Sequence, residues 1–265
     1  MQLRTMTRLP PCVIAVFLCF PGAAHAQAGP PFLTNDPGTP GDANWEINLG
    51  IMPTIARDES SYQAPEIDLN FGLGERIQLT YEIPYVLQAS DGGPIQSGWS
   101  NRYAGLKWRF LDQGEDGWQL STFPQIEMGA SQRAQQQGIA APGPRYLLPI
   151  EAARKFGPLD VDVEAGYYVP DHGRKERILG LVAGRSVTRR LELDAEIYDD
   201  HAYGALPHST VLNLGGRYHL APGFIALFMA GRSLNGYADG QPQFVGYFGV
   251  QILLSHYGRT FTTEP

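Results

Sequence analysis

Carboxylates recur at every second residue in several stretches of this chain, as in Glu192, Asp194 and Glu196 and again in Asp160, Asp162 and Glu164. The same spacing takes in Glu46, Glu66, Asp68, Glu82, Glu127 and Glu151, with fewer bases at Arg76, Lys107, Arg109, Lys155 and Arg217. Leu, Ile, Val and aromatic residues stand between them. A period of two sends successive side chains to opposite faces of an extended strand, so the acids and bases share one face. That face has two kinds of chemistry open to it. Rings of carboxylates around an aqueous path attract cations and repel anions. Alternatively, acids and bases pair with each other and fill an interior, as Lys155 and Asp160 are placed to do across Gly157-Pro158.

Enzyme chemistry finds little to work with. The chain has no G-x-S-x-G elbow, Walker loop, dinucleotide fingerprint or H-E-x-x-H helix. His208 and Ser209 are adjacent, so on a strand they point to opposite faces and make a poor hydrolytic pair. His201 and His208, with Asp199 and Asp200, fall in an expected external loop, His172 in another, and His219 near a turn. Solvated surface is their expected role, so no catalytic residue, metal or cofactor is predicted. A membrane-embedded lipid hydrolase is the weakest alternative. The net charge of −7 argues against nucleic acid, whose phosphates require a basic face.

The elements that must carry the acidic face are strands. Trp45, Ile47, Leu49 and Ile51 alternate with polar residues or glycine, as do Ile67, Leu69 and Phe71, then Ile77 through Tyr85, then Ala104 through Phe110. Alternation returns over 118–127, 148–156, 159–165, 191–198 and 212–218. Segments 177–187, 223–234 and 243–255 are apolar or glycine-rich on both faces, and their phase is ambiguous. The count is twelve, an even number, as a bacterial single-chain barrel requires.

Connections alternate between short and long. Short turns are expected at 73–75, 112–117, 157–158, 188–190 and 221–222, and long loops at 56–63, 88–100, 129–145, 170–176, 199–209 and 235–242. Outer-membrane barrels have short periplasmic turns and long external loops. Trp45, Trp108, Phe110, Trp118, Phe156, Tyr218 and Phe224 fall beside the short-turn end. Tyr85, Tyr146, Tyr167, Tyr203, Tyr237 and Phe244 fall near the long-loop end. Two aromatic belts at the two strand ends mark two membrane interfaces. Several runs have the roughly 9–11 residues that cross a bilayer at a tilt. Only a closed barrel satisfies every backbone group of a sheet in hydrocarbon. The prediction is an all-β, transmembrane, antiparallel up-and-down barrel of about 12 strands, with outer-membrane lipid and a small-molecule solute as its partners. A soluble lipocalin-like barrel or sandwich is the competing fold.

The first residues read as an export signal. Arg4 and Arg8 precede the apolar run Val13–Leu18, and Ala24-His25-Ala26 supplies an A-x-A ending. Cleavage after Ala26 would remove both cysteines, Cys12 and Cys19, leaving no thiol for a disulfide or a metal. The expected organisation is a signal peptide over 1–26, a periplasmic segment or small plug over 27–44, the barrel over 45–256, and a tail over 257–265. The prolines and glycines of 27–44 forbid regular structure. A loose terminus is its default state.

Pro30-Pro31-Phe32-Leu33-Thr34-Asn35-Asp36-Pro37-Gly38-Thr39, followed by Trp45-Glu46-Ile47-Asn48, resembles the opening of the outer-membrane proteins labelled for the MetA pathway of phenol degradation. Ala104-Gly105-Leu106-Lys107-Trp108-Arg109-Phe110 and Gly246-Tyr247-Phe248-Gly249-Val250-Gln251 resemble the same group. The resemblance spans nearly the whole mature chain in architecture but only these segments in sequence. It implies a Gram-negative outer-membrane channel or transporter with aromatic cargo, inserted by the barrel-assembly machinery, and carries over no functional residues. A structural or surface-binding barrel, engaging a partner through 129–145, is the alternative. Many such barrels end on an aromatic residue, whereas this sequence runs on through Phe261 to Pro265. Its assembly signal is therefore expected to be internal, around Gly249, Ile252 and Leu254.

Overall fold

Strands that alternate between apolar and charged residues can hide only one face, and twelve of them in sequence solve this by closing on themselves. The computed structural model describes residues 29–114, 116–171, 173–202, 209–235 and 241–255. Its strands are β1 (Trp45–Ile55), β2 (Glu59–Leu73), β3 (Ile77–Ser90), β4 (Gln96–Trp99), β5 (Arg102–Asp112), β6 (Gln119–Thr122), β7 (Gln125–Met128), β8 (Arg145–Phe156), β9 (Leu159–Pro170), β10 (Glu176–Ser186), β11 (Leu191–Ala202), β12 (Ser209–Ala221), β13 (Phe224–Ser233) and β14 (Phe244–Leu254). All neighbouring pairs are antiparallel. The barrel closes between β1 and β14, from Trp45 opposite Leu254 to Ile55 opposite Phe244.

The fourteen segments make twelve staves. β4 and β5 are the upper and lower halves of one stave, both paired to β3. β6 and β7 are halves of another, both paired to β5 and β8. The second break falls at Phe123-Pro124, where proline has no N–H to give the ladder. The last strand ends at Leu254, inside the expected 243–255 segment and two residues short of the expected barrel end at 256.

Two expected loops are shorter than the sequence suggested. β1 and β2 continue almost to each other, leaving only 56–58 between them, and the 88–100 connection is largely strand. These extensions are polar on both faces, as in Ser60, Ser61 and Gln63, so period-two contrast vanishes although pairing continues. The 129–145 connection contains a short helix, α1 (Gln132–Gln136), whose Ser131 cap accepts from the Ala134 amide. It folds inward: Ala134, Ile139 and Ala140 bury against Val86 on the inner side of β3, and Ser100 Oγ donates to the Ile139 carbonyl at 2.7 Å.

The outer surface is the apolar one. Leu214, Ile150 and Phe248 are 61%, 53% and 69% exposed, while Glu151, Glu164 and Glu196 are all at 0%. Such a continuous apolar belt on a closed sheet is a surface for hydrocarbon. Aromatic rings flank it. At the short-turn end Trp45 lies 4.8 Å from Phe71, Trp108 5.8 Å from Phe110, and Trp118 6.4 Å from Phe156. Tyr218 and Phe224 are exposed on the same rim. At the other end Tyr146, Tyr167 and Phe244 face outward, and Tyr85 packs edge-on against Trp99 at 5.2 Å. Tyr203, Tyr237, His172, His208, the Ala26 cleavage position and the 257–265 tail lie outside the described residues.

The ambiguous phase of three segments has a physical cause. β10, β13 and β14 turn Ile178, Val182, Ile225, Leu227, Met229 and Val245 inward, where all are buried. This stripe meets protein rather than water: Phe32 joins its core cluster, with Leu33 packed against it. The N-terminal segment is thus inside the barrel. From Gly29 it rises to mid-height at Leu33–Asn35 and descends again. Thr39 Oγ1 reaches the carbonyl of Glu75 in a short turn at 2.9 Å, and Ala43 and Asn44 pair with Gly72 before β1 begins.

Candidate functional site

The interior is organised around this inserted hairpin. Glu196 accepts three hydrogen bonds at 2.7 Å, from the Thr34 amide, the Thr34 hydroxyl and Asn213 Nδ2. Glu164 receives the Asn35 amide at 2.8 Å and its side-chain amide at 3.3 Å. Lys107 donates to the Asp36 carbonyl and lies 3.8 Å from the Asp36 carboxylate and 3.9 Å from Glu151, which Ser121 also caps. Arg217 reaches the carbonyls of Pro30 at 3.0 Å and Gly29 at 3.3 Å while pairing with Glu192 and Asp194 at 3.3 and 3.8 Å. Carboxylates placed on strands by alternation therefore serve as acceptors for a segment distant in sequence. Charge-assisted bonds of this kind are about twice as strong as neutral ones.

One close approach fixes the fit. A Cβ at Gly180 would sit 2.2 Å from Thr34 Oγ1, so only glycine lets the hairpin lie against β10.

The expected wall residues fall as follows. Glu66, Asp68, Lys107, Glu127, Glu151, Asp162, Glu164, Glu192, Asp194, Glu196 and Arg217 are buried on the inner face. Glu46, Glu82, Arg109, Lys155 and Asp160 face inward and are partly buried. Lys155 and Asp160 are direct partners across β8 and β9. Arg76 is the correction. It is exposed in the turn just before β3, at the rim of the barrel, although its carbonyl still accepts from the Arg109 amide at 2.9 Å. Arg109 instead spans that turn, donating to the Glu75 carbonyl at 2.7 Å.

Charge alternation alone overlooked Arg145, which pairs with Glu127 and, at 2.9 Å, with Glu176. It also overlooked the neutral part of the wall. Asn48, Asn70, Gln78, Asn213 and Gln251 are buried there, at positions that obey the same period of two. Ser209 starts β12 opposite Asp200. Among the described residues no group of acids and histidines is arranged to hold a metal.

Two cavities remain beside the hairpin. One, of about 260 Å³, is lined by Phe32 and Leu33 together with Glu66, Asp68, Glu82, Tyr103, Tyr168 and Tyr247. The other, of about 340 Å³, opens at the short-turn end between Asp112, Gly117, Lys155 and Asp160. Asp36, Gly38 and Thr39 line both, so the descending arm of the hairpin stands between them.

The Lys107 bridge predicts a large stability effect. Lys107→Met would leave Asp36 and Glu151 buried without their cation, at a cost of about 3–5 kcal/mol. Urea unfolding in vesicles should show the loss; an unchanged midpoint would mean the bridge does not hold the hairpin.

No protein-family model and no curated protein sequence matches the chain. Solved structures do. The KdgM porin is 10% identical with a TM-score of 0.56, matching 78% of this chain and 98% of its own; it has also been solved in complex with disordered oligogalacturonate. An outer membrane channel from Pseudomonas putida F1 is 13% identical with a TM-score of 0.56, over 80% of this chain and 94% of its own. The NanC porin is 6% identical with a TM-score of 0.54, over 78% and 98%. At such identities the likeness is one of fold: a closed twelve-strand barrel of the kind that outer-membrane channels use.

Proposed function

We propose that this protein is an outer-membrane channel for small solutes whose passage is narrowed by its own N-terminal hairpin. The observation that carries the reading is the reversed polarity of the barrel. Aliphatic residues face out and charged residues face in, around two cavities separated by a short inserted segment. Export through the expected signal peptide and cleavage near Ala26 fit this reading, as does insertion by the barrel-assembly machinery.

Aromatic or otherwise apolar small solutes suit the interior, in keeping with the phenol-degradation resemblance. Tyr103, Tyr168, Tyr198 and Tyr247 border the cavity of about 260 Å³ with Phe32 and Ile178. The acid excess argues against the polyanionic class represented by the oligogalacturonate of the KdgM complex.

Purified full-length mature protein in planar bilayers should show discrete conductance steps. A salt gradient should give a reversal potential of cation-preferring sign, because carboxylates dominate the wall. Silent bilayers, with no permeation of small aromatic solutes into vesicles, would overturn the proposal.

A further inference from the structure

The wall formed by β14, β1, β2 and β3 gathers buried acceptors that lack a donor, and among the described residues no ion pair reaches its Glu66, Asp68 or Glu82. Gln251, Asn48, Asp68 and Glu82 are consecutive cross-strand partners, so they form one row at one height. Glu66 lies one inward position above Asp68 on β2. Glu196, Glu164 and Glu151 meet donors from the hairpin, from Asn213 or from Ser121. Gln251 Oε1, Asn48 Oδ1, Asp68 Oδ1 and Glu66 Oε2 are buried with no hydrogen-bond partner in the protein; Glu151 and Asp194 also keep unpartnered oxygens, but each has a cation beside it, Lys107 and Arg217. The four residues are only 2%, 1%, 6% and 8% exposed. Asp68 uses its other oxygen for Asn48 and Asn70, at 2.9 and 2.8 Å. Lys107, a neighbouring cation of the interior, is held by Asp36 and Glu151.

Three carboxylates and two amide groups on adjacent strands, with four unpartnered acceptor atoms and no ion pair of their own, match a ligand rich in N–H groups and positive charge. All but Asn48 line the cavity of about 260 Å³. Its neighbouring wall is apolar: Met52 and Phe32 pack in one cluster with Tyr247. The Tyr247 ring lies over Gly50, where a Cβ would be 2.4 Å from Cζ, and Gly50 is the cross-strand partner of Glu66. The Tyr247 hydroxyl is also buried without a partner. An aromatic face beside an anionic patch favours a cation with an apolar body, through cation–π attraction as well as ion pairing.

We infer that this patch is a binding site for a small organic cation, an ammonium or guanidinium group on an aromatic or aliphatic body. Its charged head meets Asp68, Glu66 and Glu82, and its body rests against Phe32, Met52 and Tyr247. The inference deepens the channel reading by naming the class of solute, and it rests on that reading only for the idea that the ligand is cargo.

Equilibrium binding to full-length mature protein in detergent tests it with three probes of one shape: phenethylamine, phenethyl alcohol and phenylacetate. The amine should bind at least tenfold more tightly than the alcohol, and phenylacetate should not bind measurably. Asp68→Asn combined with Glu66→Gln should abolish the preference for the amine while keeping volume and fold, the latter checked by heat-modifiable migration. Equal binding of the three probes, or no binding of the amine, would overturn the site even if that variant failed to fold. Bilayer conductance is read separately on the same protein. A conducting barrel without amine preference sinks this inference alone, whereas amine binding in a silent barrel sinks the channel reading and leaves the site standing.

Discussion

Replacing Pro31–Asp36 by a Gly-Ser stretch of equal length should raise single-channel conductance, by roughly threefold or more for a barrel between the filled eight-strand and open porin sizes. The hairpin stands between the two cavities, with its apex packed against β9, β10 and β11. Removing it joins them. The effect should be reproduced without any deletion. Gly180→Val puts a branched side chain where Thr34 Oγ1 now lies, 2.2 Å from the glycine's missing Cβ. Glu196→Gln is the milder version, since it weakens three hydrogen bonds rather than filling their space. Bonds to a charged group contribute about 1.5–3 kcal/mol each when truncated. The order of conductance should therefore be wild type, then Glu196→Gln, then Gly180→Val and the linker variant together. If the linker variant conducts like wild type, the hairpin does not limit the path, and the narrowing must lie at the inward-folded 129–145 connection instead.

The second large effect concerns which side of the sheet meets lipid. Leu214 lies near the middle of β12, 61% exposed, between Ala195 and Ala230 on the adjacent strands. Leu214→Arg places a charge in the hydrocarbon core, which costs about 2–4 kcal/mol at the bilayer midplane and about 0–1 near an interface. Tyr218→Arg, on the same strand and face but at the aromatic rim, is the matched control. Folding into vesicles should fall steeply for the first and little for the second, as read from urea titrations of the folded fraction. Equal, small effects at both positions would show that neither side chain faces hydrocarbon. That result would also remove the basis for a transport role.

The strands were readable because a lipid-facing sheet imposes the strictest alternation a chain can carry. Each outward position must be apolar, and each charged residue must turn inward. Ile77 through Tyr85 in β3 and Leu191 through Ile197 in β11 show this, and in β11 the observed burial alternates with it from Glu192 to Ile197. Polar extensions such as Glu59–Gln63 escaped the same reading because water touches both of their faces. Strand pairing beyond the bilayer then depends on a partner strand that no local pattern reports.

Linear order was also enough for the acidic face and the aromatic rims, since each is set by neighbours along a strand, but not for the short-long alternation of connections, because 56–58 is as short as the turn at 74–76. What the acids do was not legible there. Glu196 and Thr34 are 162 residues apart, and Lys107 and Asp36 are 71 apart. Nothing within either strand distinguishes Glu196, which holds the hairpin, from Glu66, which has no donor. The stripe of Ile178, Val182, Leu227 and Met229 blurred the pattern of β10 and β13 for the same reason. Closure of the barrel brings a proline-rich segment against them, and an inward position becomes apolar when protein rather than water lies opposite. Periodicity records the medium on each side of a strand, and inside this barrel the medium includes the chain's own N-terminal hairpin.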